Sequence, residues 1–188
     1  AACSQKISDL KPSRFWDILI DETGSKFKNT KQASSQEFLG KFVALLVPME
    51  EHLPPLKEGW HAVKSSFPEL SKVIGKLHNS NCGIVGISVT DLPKLQGDLW
   101  SVCLRKLIDL VLLLIPCNDK TTLHLYVEEH GRDKRTSTLK LEEVCESALL
   151  QLANIAPEKA KLIAIVPEVI SKTDDFRNGY VDAIAYCW

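Results

Sequence analysis

The chain has 188 residues, 45% of them hydrophobic and 25% charged, and carries a formal net charge of -1. That is the composition of an ordinary globular protein, long enough to bury one substantial core. The near-neutral balance excludes a general positive field for holding nucleic acid, so phosphate binding has to come from local patches, bound metal or a partner chain.

Residues 1–14 are polar and read as a loose lead-in. Phe15 to Ile20 reads as a first strand that ends at Asp21, with Thr23-Gly24-Ser25 as a turn signal behind it. A second strand lies within Phe38 to Val47, and Pro48 stops it because proline cannot continue a hydrogen-bond ladder. Residues 49–80 read as an insertion broken by Pro54-Pro55 and Pro68. A short helix near 69–78 is expected in it, where Leu70, Val73, Ile74 and Leu77 recur at helical spacing. Ile84 to Val89 is a third strand, and Gly83 and Gly86 in or beside it suggest close packing.

From Trp100 to Ile115 the apolar residues form one broad helical stripe, which Pro116 ends. Leu123 to Val127 is a fourth strand, closed by Glu128-Glu129 and Gly131. Leu141, Val144, Cys145, Ala148 and Leu152 mark a second helix, with Ser137 or Thr138 available to cap its start. Leu162 to Val166 reads as a last strand ended by Pro167, and Phe176 to Trp188 as a terminal helix. This order predicts an antiparallel meander followed by parallel strands with crossover helices, in a single α/β domain over 15–188.

Six cysteines are present without a CxxC pair, which gives a zinc ribbon no support. Cys103 and Cys145 fall on apolar helical faces and read as buried reduced thiols. Without a disulfide framework, an intracellular, reducing compartment is expected, cytoplasm or nucleus. The first residues lack the apolar stretch of a secretory signal. The run Leu107 to Pro116 contains Asp109 and is too short to span a bilayer, so no membrane is expected as a partner. The abrupt ends suggest a domain excised from a longer protein. There is no phosphate-binding P-loop, dinucleotide fingerprint or serine nucleophile elbow.

The acids fall at the ends of the predicted elements. Asp21 and Glu22 follow the first strand, Glu128 and Glu129 follow the fourth, and Asp182 sits among small and apolar residues of the terminal helix. If the first and fourth strands are neighbours, Asp21 and Glu128 converge at their carboxyl ends, and the terminal helix can bring Asp182 to them. Like charges gathered there repel, and a divalent cation with a preference for oxygen ligands removes that penalty. Asp175, Asn178 and Asp182 share roughly one helical face, which makes Asp175 a further candidate. His124, Glu128 and His130 alternate along one side of a strand, a rival zinc set.

This order of elements and acids resembles the ribonuclease H-like superfamily of nucleases, integrases and resolvases. Ile-Asp-Glu-Thr-Gly at 20–24 is similar to the Asp-Glu-Ser-Gly opening of an uncharacterised bacterial branch. Asp182-Ala183-Ile184-Ala185 resembles the aspartate-alanine helix motif of the resolvase-like branches. The topological resemblance runs from about Phe15 to Trp188.

It implies an α/β fold with a ribonuclease H-like mixed five-stranded sheet and helices on both faces. It also implies a divalent-metal-dependent nuclease that uses Mg2+ or Mn2+. Asp21, Glu128 and Asp182 match the family's acids, with Glu129 as the rival of Glu128, Glu22 in a supporting place, and Asp109, or Asp98, for the acid some branches carry on the first helix. The glutamate at 128 departs from the aspartate of many branches. The expected chemistry is phosphodiester hydrolysis in RNA or DNA by two ions about 3.5–4 Å apart, with the carboxylates positioning them.

Lys26 and Lys28, with Arg132, Lys134 and Arg135, are candidate backbone-phosphate contacts to nucleic acid, which would weaken with salt. The alternative is a non-catalytic ribonuclease H-like scaffold, joined to a protein partner or to the remainder of a longer chain in a nucleic-acid complex.

Overall fold

The structure is a computed structural model and describes residues 2–5, 7–23, 40–89, 99–128, 134–171 and 173–188. The five expected strands are β2 (Phe15–Thr23), β3 (Gly40–Pro48), β4 (Gly83–Val89), β5 (Thr121–Glu128) and β6 (Ile163–Ile170). They form the expected mixed sheet. β2 pairs antiparallel with β3, and β3 with β4, while β2 pairs parallel with β5, and β5 with β6. A further strand, β1 (Ala2–Gln5), pairs antiparallel with β4, giving the order β1-β4-β3-β2-β5-β6 among the described residues.

The lead-in is therefore structured rather than loose. Beyond β1, Leu10 is buried in the core. A Cβ on Gly83 would meet Leu10 Cδ1 at 2.6 Å and Ile7 Cδ1 at 2.8 Å, so the glycine lets this segment lie on the sheet.

Alternation along the strands sends successive side chains to opposite faces, and each face is covered by helices. Trp16, Ile18 and Ile20 of β2 pack with α2 (Leu99–Leu114) and α3 (Lys134–Ile155). Leu19 of β2 and Val43, Leu45 and Val47 of β3 pack with α1 (Phe67–His78) and α5 (Asn178–Cys187). The 49–80 stretch belongs to this second face. Leu53 and Ala62 are buried there, and Tyr180 Oη donates to Pro54 O at 2.6 Å. Among the described residues no helix is long and apolar enough to cross a membrane.

Two proline and capping expectations are corrected. β6 does not end at Pro167 but runs through it, with Pro167 in register with Leu125. It tolerates the missing N–H because β6 is an edge strand. α3 begins at Lys134, a turn before the expected caps. Ser137 is buried against the core and Thr138 Oγ1 donates back to Lys134 O at 2.8 Å, which is a mid-helix bond and not a cap. A short helix, α4 (Pro157–Ala160), leads into β6.

Cys103 and Cys145 are buried and free, as expected; among the other described thiols Cys82 is buried, Cys117 half-buried and Cys187 exposed, all free. Burial, with Glu142 and Glu146 adding to it, pushes the Cys145 thiol up to about 12, so it stays protonated and inert at neutral pH.

Glycine at 86 has a partner of the opposite size. A Cβ there would lie 2.5 Å from Trp188 Cζ3, so the indole rests directly on the strand. The Lys41 ammonium stands 5.5 Å from that ring. Gly86→Ala is expected to cost about 1–3 kcal/mol by overpacking. In a Trp188→Ala background the cost should shrink toward zero, a coupling that a double-mutant cycle of chemical denaturation measures.

The first turn of α1 is fixed by Glu69, whose Oε2 accepts from Ser66 N–H at 2.8 Å and Ser66 Oγ at 2.7 Å. These two bonds hold the Glu69 carboxyl below its ordinary value. A lowered folded value stabilises the native state above the ordinary carboxylate range and is lost as pH falls through it. The melting-temperature gap between the wild-type chain and Glu69→Gln should accordingly be present at pH 7 and close in acid.

Candidate functional site

β2 is where the sheet changes sense, with an antiparallel neighbour on one side and a parallel one on the other. In open α/β sheets ligands gather outside the carboxyl ends of parallel strands, here those of β2 and β5. Ile20 is in register with Val127, so the next residues, Asp21 and Glu128, follow side by side on neighbouring parallel strands; Glu128 is the last residue of β5, whereas β2 runs past the end expected at Asp21 and stays paired with β3 through Thr23. Both acids follow residues, Leu19 and Tyr126, that pack on the α5 face two positions earlier. They line one small recess with Glu22, Ile20, Phe42, Trp100 and Val127.

Asp21 is 92% buried by its 8% exposure, an unusual position for a carboxylate. Its Oδ1 accepts the N–H of Glu22 at 2.8 Å, which orients the carboxylate. The apolar run Ile18-Leu19-Ile20 anchors β2 on both faces and so fixes where Asp21 emerges.

Asp182 does not line this recess. It lies on α5, and its Oδ2 accepts the Ala62 N–H at 2.8 Å with His61 Nδ1 at 3.6 Å. The chain around 61–62 is thereby tied to α5. Asp175 precedes α5 instead of sharing its face and is bound by Arg177 through both carboxylate oxygens. Asp109 lies on α2, on the opposite face of the sheet, with Arg105 Nε at 2.8 Å. Lys134 and Arg135 are exposed at the start of α3, six and seven residues beyond Glu128. Glu129, Lys26, Lys28 and Arg132, with Asp98 and His130, lie outside the described residues.

Among the described residues no group of three or more His, Cys, Asp or Glu is arranged to hold a metal ion. The pair at hand suits one hard cation, since magnesium is commonly held by one or two carboxylates together with waters and phosphate oxygens. The oxygen-only donors of Asp21 and Glu128 fit that preference.

Sequence reasoning missed a second charged cluster on the same face. Arg177 Nη1 donates to Asp17 Oδ2 at 2.7 Å and Nη2 to Asp175 Oδ2 at 2.6 Å. Burial alone would lower the Arg177 guanidinium, but its bonds to Asp175 and Asp17 outweigh it and hold the group above its ordinary value. The Tyr126 phenol is pushed up by burial and then by Asp17. The signal was Asp17 itself, a lone acid within the apolar strand Phe15 to Ile20.

No protein-family model matches the chain, and no curated protein matches it.

Proposed function

We propose that the protein is a divalent-metal-dependent nuclease of the ribonuclease H-like kind, with its reaction centre at Asp21 and Glu128. The observation that carries this reading is that Asp21 and Glu128, toward the carboxyl ends of the parallel neighbours β2 and β5, line one recess. Asp21 and Glu128 would hold Mg2+ or Mn2+ in this recess, and the ion would supply charge stabilisation to a phosphoryl oxygen and acidify a water. Asp21 is held in place by the Glu22 N–H. Phe42, Trp100 and Val127 supply apolar walls to the recess. Exposed Lys134 and Arg135 offer backbone-phosphate contacts without reading bases. Asp182 is assigned a positioning role, holding the 61–62 segment against α5.

The test is cleavage of labelled single-stranded RNA and DNA with Mg2+ or Mn2+, comparing the wild-type chain with Asp21→Asn, Glu128→Gln and Asp109→Asn. Cleavage lost in the first two and kept in the third is the expected result. Equal cleavage by all four proteins would reject the assignment. A second reading, a non-catalytic scaffold that docks a protein partner, is favoured by one observation: the Asp182 carboxylate is engaged by Ala62 and not turned into the recess.

A further inference from the structure

A second cavity, of about 270 Å3, opens at the N-terminal end of α5 between residues 55–61 and 173–179. It is separate from the recess. Arg177 ties this end of α5 to Asp17, four residues before Asp21, which is about 13 Å along an extended strand.

Trp60 is one of its walls, and its indole lies against α5. Trp60 N–H donates to Lys57 O at 3.0 Å, closing a tight turn in which Gly59 takes a φ of +67° that favours glycine. On the helix side, a Cβ on Gly179 would lie 2.7 Å from Leu56 Cδ1 and 3.1 Å from Trp60 Cε3. Glycine at that position is what allows the indole to settle against α5. Phe176, 43% exposed, is a second aromatic wall.

The polar groups are few and defined. His61 lines the cavity with its Nδ1 turned to Asp182 Oδ2 at 3.6 Å, which leaves the Nε2 edge for another partner. Asp175, Glu58 and Thr173 also line it; Arg177 is shared between Asp175 and Asp17, so this wall carries negative charge and suits an uncharged ring better than an anion. Lys57 adds a positive group to the lining. A mostly apolar hollow with a few convergent polar groups is the usual form of a small-ligand site. At about 270 Å3 the space has room for a ring system.

We propose that this cavity binds a single unpaired nucleobase, stacked on Trp60 with its hydrogen-bonding edge toward His61. Stacking on a rigid aromatic platform tolerates any base and needs no positive field, which suits a chain of net charge -1. The base can belong to a free nucleoside or to a single strand. The site rests on this cavity and not on the chemistry at Asp21.

Calorimetric titration of the whole chain with adenosine, AMP and a short single-stranded oligoadenylate tests it. Adenosine is expected to bind saturably, with affinity reduced about tenfold or more in Trp60→Ala and largely kept in Trp60→Phe. Binding should be unchanged in Asp21→Asn, so that failure of the nuclease reading leaves this result standing. Circular dichroism checks folding, and Phe176→Ala serves as the second probe if Trp60→Ala does not fold. An oligoadenylate that binds more tightly than AMP points to a strand as the source, and equal affinities point to a free nucleoside. Absence of binding by all three probes overturns the proposal. So does affinity untouched by both Trp60→Ala and Phe176→Ala, or indole binding as tightly as adenosine.

Discussion

Replacing Asp21 with asparagine is expected to lower divalent-ion-dependent cleavage of a single-stranded substrate by roughly a hundredfold or more and to leave the protein folded. The change removes one charge and almost no volume. Asparagine Oδ1 still accepts the Glu22 N–H, so the local bond that orients the side chain survives. What is lost is half of the negative pair that would retain the cation. Charge stabilisation by a bound ion contributes several kcal/mol to a phosphoryl-transfer barrier, and each 1.36 kcal/mol is about tenfold in rate. Removing one of two like charges from neighbouring strands should not destabilise the ion-free protein. The wild-type chain should gain melting temperature with added Mn2+ while Asp21→Asn does not. Cleavage rate and the Mn2+-dependent thermal shift together separate a lost ligand from a lost fold.

Arg177→Met is the substitution expected to hurt stability most among the charged residues. It keeps a long apolar stem but strips the cation from between Asp17 and Asp175, whose side chains are 34% and 18% exposed. Breaking a buried pair by removing one partner costs about 3–5 kcal/mol. The partial opening of Asp17 to water lowers that here to about 2–3 kcal/mol. For a chain of this size the melting temperature should fall by about 5–10 °C. Adding Asp17→Asn and Asp175→Asn to Arg177→Met should recover part of the loss, because the uncompensated charges are then gone. The guanidinium sits above its ordinary value, so its own contribution is present at all pH values below the arginine range and is not lost near neutrality.

Much of the architecture was legible because hydrophobic periodicity reports burial directly. The β5 residues alternate between buried and half-buried along their whole length, and the stripe from Trp100 to Ile115 faces one side of the sheet. The misjudged elements share a cause: their state depends on what lies next to them. Ala2–Gln5 becomes a strand because β4 offers an open edge. Pro167 stays inside β6 because nothing needs its missing N–H on the outer side.

The candidate site divides in the same way. Asp21 and Glu128 come together because the register of β2 on β5 is encoded in the flanking apolar runs, although β2 runs on to Thr23, past the end expected at Asp21. The partner of Asp182 was not legible, since it depends on how residues 49–66, the part of the stretch without helical periodicity, fold back on α5. The Trp60 cavity was hidden for a related reason. Its walls come from a proline- and glycine-broken segment and from the lead into α5, more than 110 residues apart in the chain.

The most direct test of the central claim is Mn2+ binding, followed by calorimetry on protein purified without a metal-binding tag. Saturable binding of Mn2+ by the wild-type chain, lost in the Asp21→Asn, Glu128→Gln double variant and retained in Asp109→Asn, is the predicted result. Mn2+ uptake that is absent from the wild-type chain, or that the double variant keeps in full, would contradict the account.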